Sequence, residues 1–116
     1  MFDEKEINDI DGWLTIDEAK LLYELAGDMP KKTMWCEIGS WKGKSTAALA
    51  QSERMGIAID PFTGTPGEHP EGTDTLQEFL KNTQRFRNII VMKGTSNECA
   101  DAVPDCLGLV FIDGEH

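Results

Sequence analysis

The sequence predicts an α/β fold, a parallel sheet with helices on both faces, and three observations carry that prediction. Four short runs, MWCEI, GIAI, IIVM and LGLVFI, are almost continuously apolar. Segments with helical spacing stand between them, and glycines or acids follow the ends of the runs. Strands that are apolar throughout belong to a parallel sheet covered on both sides, and intervening helices supply the cover.

The elements follow in order. Thr15 and Glu18 have capping-box spacing and open a helix, with Leu21, Leu22 and Leu25 as its expected apolar face and Gly27 as its stop. Residues 34–38 form the first strand. Residues 45–54, with Ala47, Ala48, Leu49 and Ala50, form a helix that begins inside a glycine loop. The second strand, 56–59, ends at Asp60. The stretch PFTGTPGEHPEG is loop, because its prolines and glycines exclude a regular element. Thr73 or Asp74 can cap a helix reaching Phe86, with Leu76, Phe79 and Leu80 as its stripe. Residues 89–92 form the third strand, 96–103 a short helix and 107–112 the fourth strand. The chain has no internal repeat and no domain boundary, so residues 1–116 read as a single domain with a flexible N-terminus over 1–11.

Composition narrows the function. The chain has 116 residues, 40% of them hydrophobic, enough for a real core and against wholesale disorder. A net charge of −10, from 21 acids and 11 bases, argues against nucleic acid or an anionic membrane as partner. Cys36, Cys99 and Cys106 are odd in number and lack C-x-x-C spacing, which predicts reduced thiols in a cytoplasmic protein. The start, MFDEKEINDIDG, is acidic and lacks the apolar run of a signal peptide or membrane span.

In a parallel sheet of this kind, ligands bind beyond the carboxyl ends of the strands. Those ends carry Glu37 with Gly39 and Ser40, then Asp60, then Gly94, Thr95 and Ser96, then Asp113 with Gly114, Glu115 and His116. The first end continues as GSWKGKST, close to the phosphate-binding pattern G-x-x-x-x-G-K-[ST]. Only three residues separate Gly39 from Gly43, one fewer than that pattern needs, and no partner acid for a magnesium-nucleotide site is evident. Triphosphates want positive charge, whereas a nucleoside without phosphates wants a carboxylate for its ribose hydroxyls. Asp60, 23 residues after Glu37, stands where such an acid belongs. It also begins an Asp-Pro turn, so a purely structural role stays open.

The ordered runs CEIGSWKGKST, AIDPF, KGTS and LGLVFIDGEH resemble those of class I S-adenosylmethionine-dependent methyltransferases, with their Rossmann-like fold. The nearest likeness is to small-molecule methyltransferases similar to macrocin O-methyltransferase and cephalosporin hydroxylase-type proteins. It spans residues 12 to 116 and includes the leader GWLTIDEAKLLYELA. No single motif is specific; their order and spacing are.

The resemblance implies S-adenosyl-L-methionine as cofactor, a small-molecule acceptor and O-methylation as the reaction. It implies that the loop from Glu37 through Gly39, Ser40 and Gly43 wraps the methionine part and ribose, with Glu37 toward the cofactor's amino end. It places Gly94, Thr95 and Ser96 along the adenine pocket, although a helix N-cap, with Ser96 as the capping residue, explains them equally well. Phe62 either packs on adenine or covers the sheet. Trp41 either shapes the substrate side of the loop or packs in the core. Asp113 corresponds to the first ligand of a magnesium ion in metal-dependent members, and a hard cation needs further oxygens. His116 is a candidate general base for an acceptor hydroxyl, since a histidine titrates in a suitable range, or else a loop hydrogen-bonding group. His69 reads as a surface residue.

The family's complete domains have seven strands, and this sequence carries four. It therefore reads as an incomplete methyltransferase domain, with turnover by the chain alone in question. A non-catalytic nucleoside-binding module is the alternative reading. An apolar fourth strand at a sheet edge also predicts homo-oligomers.

Overall fold

A computed structural model describes residues 1–63 and 72–113 of the chain. Its elements are α1 (Glu4–Asn8), α2 (Ile16–Gly27), β1 (Met34–Ile38), α3 (Lys44–Ala50), β2 (Gly56–Asp60), α4 (Leu76–Thr83), β3 (Ile89–Lys93), α5 (Ser96–Cys99) with a following 3-10 turn Ala100–Ala102, and β4 (Leu107–Ile112). The four strands are parallel, in the order β3-β2-β1-β4. The expected α/β class is what the chain adopts. Residues 64–71, with His69, expected as part of a loop, and the last residues, Gly114, Glu115 and His116, lie outside the described residues.

One face of the sheet packs against α2, α3 and α4. Trp35 of β1, the alanines of α3 and Ala19, Leu22 and Ala26 of α2 share one buried cluster. Phe62, Phe79 and Ala58 extend it under α4. On the other face, Cys36, Ile57 and Ile59 pack with Cys99 of α5. Trp35 faces its register partner Gly56, and a Cβ there would be built into the indole. Glycine at 56 is thus a packing requirement, since overfilling a close-packed core destabilises it. The Trp35 Nε1–H donates to the Arg54 carbonyl at 2.9 Å. Arg54 in turn donates to the carbonyls of Met29 and Pro30 at 2.9 and 2.7 Å. It supplies the positive charge that α2, with no basic residue in its last turn, lacks at its carboxyl end.

Several expectations are corrected. The N-terminus is helical over Glu4–Asn8 where a flexible segment was expected over 1–11. Asp3 caps that helix, and Ile7 and Ile10, three apart, bury themselves against α2 and α3. Gln51 bonds both the Asp3 backbone and Glu6, and Arg85 grips the Glu6 carboxylate. In α2 the buried stripe is Ala19, Leu22 and Ala26, while Leu21 and Leu25 are exposed. Small residues bring the helix close to the sheet and leave the larger leucines on its flanks. Leu80 of α4 is likewise exposed. That helix is shorter than expected; Asp74 accepts from the Leu76 N–H at 3.0 Å, and the cap position is Thr75. The expected helix over 96–103 tightens into the 3-10 turn after Cys99.

Candidate functional site at the strand ends

The strand order reverses at β1: the chain steps outward through β2 and β3, then crosses back to place β4 on β1's other side. A crevice at such a switch point is where this architecture takes its ligands. Parallel register aligns the ends, with Ile38 opposite both Ile59 and Ile112, and Asp60 opposite Lys93. Backbone bonds tie the first loop residues together: Gly39 N–H to Ile59 O at 2.8 Å, Gly94 N–H to Asp60 O at 3.0 Å, and Asp113 N–H to Ile38 O at 2.9 Å. Gly39, Asp60, Gly94 and Asp113 therefore meet at one edge, as the sequence reading expected.

The glycine loop owes its shape to backbone conformations that side chains disfavour. Gly39 and Gly43 sit at φ 95° and 94°, and Trp41 is also left-handed at φ 48°. At Gly43 the reason is packing as well as φ, because an added Cβ would lie 3.0 Å from Thr83 Cγ2 and 3.1 Å from Phe79 Cδ2. This glycine lets the loop approach α4.

Asp60 pins two loops at once. One oxygen accepts from the Trp41 N–H at 2.8 Å and the other from the Phe62 N–H at 2.6 Å. The turn role foreseen for Asp60 is thus present, and lone pairs remain on both oxygens for a ligand hydroxyl. Phe62 is buried against Phe79, with ring centroids 5.0 Å apart. It covers the sheet and offers no free ring face to an adenine.

Glu37 lies on the same side of β1 as Trp35, beneath α3, and is 0% exposed. The Ser45 hydroxyl donates to one of its oxygens and the Thr46 hydroxyl to the other. Burial pushes its carboxyl up to about 7, opposed by those hydroxyls and by Ser40, and aided by the charge of Asp113. Ser40 Oγ is buried beside this carboxylate, outside regular hydrogen-bond geometry with any described residue.

The lysines of the loop are turned to structural use. Lys42 pairs with Asp11 and Glu78, each at 3.4 Å, and its ammonium lies 4.7 Å from the Trp41 ring centroid. Its carbonyl accepts from Asn82 at 2.9 Å. Lys44 donates to the Gly12 carbonyl at 3.2 Å. Neither ammonium is left poised for phosphate, which removes the chemistry of a phosphate loop. The sequence reading missed this clamp, whose members lie 31 and 36 residues from Lys42 (42 − 11 and 78 − 42), too far apart for any local pattern.

At the third end, Thr95 caps α5, accepting from the Glu98 N–H at 3.2 Å while Glu98 accepts from the Thr95 N–H at 2.9 Å. The cap is therefore Thr95, with Ser96 as the first helical residue, where Ser96 was expected to cap. Asp113 is exposed at the fourth end. Among the described residues no three His, Cys, Asp or Glu side chains converge as a metal site, so Asp113 alone does not make one. The His116 expectation falls outside the described residues. No helix among them is long and apolar enough to cross a membrane.

Fold and site together define a Rossmann-like α/β domain of the class that binds ligands at a switch point. More narrowly, residues 36–116 match the family model described as a methyltransferase domain, so the chain belongs to that family, within the S-adenosylmethionine-dependent methyltransferases. In structure it is similar to precorrin-8W decarboxylase from Methanobacterium thermoautotrophicum, with a TM-score of 0.67 and 22% identity over 98% of this chain. The chain spans 58% of that protein's length. At this identity the likeness shows the fold alone. Among curated proteins, none matches the chain.

Proposed function

We propose that the chain binds S-adenosyl-L-methionine across the ends of β1, β2 and β3 and serves as the cofactor-binding part of a methyltransferase for a small-molecule acceptor. The observation that carries this is the pairing of Asp60 with a glycine loop whose lysines are already engaged. Such a site suits ribose hydroxyls and a cationic ligand better than a polyphosphate. The residues fit the group: Gly39 turns the loop left-handed, and Asp60 has lone pairs to spare.

When bound, S-adenosylmethionine supplies an electrophilic methyl carbon on a sulfonium. This chain's residues orient it, Asp60 through the ribose and the Gly39–Gly43 loop through the backbone, so that an acceptor oxygen can approach in line. The likeness to macrocin O-methyltransferase-type proteins supports transfer to oxygen. Magnesium assistance would require oxygen ligands in addition to Asp113. The three free cysteines support a reducing, cytoplasmic setting.

Calorimetry tests the reading: S-adenosylmethionine and S-adenosylhomocysteine should bind more tightly than ATP with magnesium. Stronger binding of ATP would overturn it in favour of a phosphate loop. Exposed Val110 and Ile112 on edge strand β4 support a second part of the proposal, that copies of the chain associate through β4 and that the chain alone turns over no acceptor. Light scattering across concentrations and an acceptor panel check it; a stable monomer with turnover would refute it.

A further inference from the structure

Tryptophan is highly buried on average, yet Trp13 is 94% exposed. Among the described residues, no hydrogen bond or ring contact holds its indole. The backbone that carries it is nevertheless fastened on both sides. Before it, Asp11 pairs with Lys42 at 3.4 Å, and the Gly12 carbonyl accepts from Lys44 at 3.2 Å. The Lys44 stem also packs on Gly12, where an added Cβ would lie 3.2 Å from Lys44 Cδ. After it, Leu14 packs on the core and Thr15 closes the capping box of α2 with Glu18.

The place of this indole follows from the fold. The far end of α2 lies at the amino ends of the strands, where Arg54, just before β2, grips the carbonyls of Met29 and Pro30. The start of α2 therefore lies at the carboxyl ends, and Lys42 and Lys44 tie the residues before it to the glycine loop. Within that edge the two flanks differ. Asp60 and Phe62 sit at the β2 end beneath α4, with Gly94 bonded beyond them. In contrast, α2 packs against α3 and β4, on the Asp113 side. The proposed cofactor spans β1, β2 and β3, so Trp13 borders the space left for an acceptor.

Resting on the function proposed above, we propose that Trp13 is a specificity-determining residue that receives the acceptor, stacking on a planar aromatic ring that carries the hydroxyl to be methylated. An indole presented on a held backbone gains contact area on binding with little further ordering. Offset stacking of two rings adds to that gain. The glycine loop leaves no free ammonium for an acidic acceptor, since Lys42 and Lys44 are engaged in holding residues 11 and 12.

The test uses the whole chain with S-adenosylhomocysteine and, as the probe, naphthol. In nitrogen-labelled protein the Trp13 indole N–H signal, assigned by its absence from Trp13→Phe, should shift as naphthol is added. Trp13→Ala should bind naphthol at least about threefold more weakly, and Trp13→Phe within about twofold of the parent. Binding of S-adenosylhomocysteine should stay parental in both variants, which fold because the position is exposed. A signal that does not move, or an alanine variant that binds naphthol as the parent does, overturns the proposal. So does a shift with methyl glucoside and none with naphthol, which assigns the indole to a sugar ring. A signal that moves with protein concentration alone also overturns it, by assigning the indole to contact between copies. Weaker S-adenosylhomocysteine binding in Trp13→Ala would make Trp13 a cofactor contact instead. If the parent binds no S-adenosylhomocysteine, the proposed function fails and this inference with it. If the parent binds it and Trp13 gives no response to naphthol, the inference alone fails.

Discussion

Strands β1 and β4 run side by side, parallel, and both end at the candidate site, yet they are built to different standards of burial. The central residues of β1, Trp35, Cys36 and Glu37, are all buried, with a helix layer on each side and a strand on each edge. Along β4 exposure alternates: Leu107, Leu109 and Phe111 are half-buried while Gly108, Val110 and Ile112 face outward. In sequence β4 is the more apolar of the two, since β1 contains Glu37. The difference is one of position, since β1 lies inside the sheet and β4 at its edge. It teaches that the Gly39 side of the candidate site rests on a fully packed scaffold and the Asp113 side on an open one.

The sharpest way to break that comparison uses two isoleucines that flank Ile38 in register. Ile59 is 2% exposed and Ile112 is 60% exposed. Ile59→Ala should destabilise the chain by about 2–5 kcal/mol through lost burial and a cavity. Ile112→Ala should change stability by about 0.5 kcal/mol or less. Urea unfolding of both variants checks this, and equal losses would mean that β4 is covered in solution, as an association through its edge would produce.

Glu37 sharpens the comparison through pH. Its carboxyl is raised from an ordinary 4.5 to about 7 by burial. Below the lower value both folded and unfolded chains hold the proton, so the contribution to stability is at its most favourable there. As pH rises from there to 7 the unfolded chain releases the proton first, and stability falls by about 3 kcal/mol before levelling off. Glu6 acts in the opposite sense, because the Arg85 guanidinium lowers its pKa; that contribution is present at neutral pH and is lost on acidification. The stability of the parent relative to Glu37→Gln should therefore decline between about pH 4 and pH 8, isolating the buried acid. A difference that does not vary with pH would contradict the burial argument.

A smaller effect is expected at Asp60. Asp60→Ala releases the Trp41 and Phe62 amides and, on the proposed function, a ribose contact. Affinity for S-adenosylhomocysteine should fall by about 1.5–3 kcal/mol. A folded variant with unaltered affinity would leave Asp60 as a loop anchor only. Smallest is Lys42→Met, which removes the ammonium over the Trp41 ring and two pairs whose acids are largely exposed. It should cost about 1 kcal/mol or less at low salt, and the difference in melting temperature should vanish at high salt.

The sequence by itself determined the four strands and the helices between them, in order, but not α1. Continuous apolar runs set the four strands, Thr15 with Glu18 set the start of α2, and the glycine spacing argued against a phosphate loop. These are local properties, written in neighbouring residues. It also placed Asp60, Gly94 and Asp113 at one edge, because parallel strands must all end on the same side. What it left undetermined depends on residues far apart in the chain. Leu21, Leu25 and Leu80 have helical spacing suited to burial, yet smaller or better-placed neighbours won the contact with the sheet. Only the folded chain brings Asp11 and Glu78 to Lys42, Gln51 and Arg85 to Glu6, and Phe79 to Phe62. Glu37 lies within ten residues of Ser45 and Thr46, but their meeting depends on how α3 packs back over β1. Local propensity selects an element, whereas tertiary packing decides which face it buries and which charges it brings together.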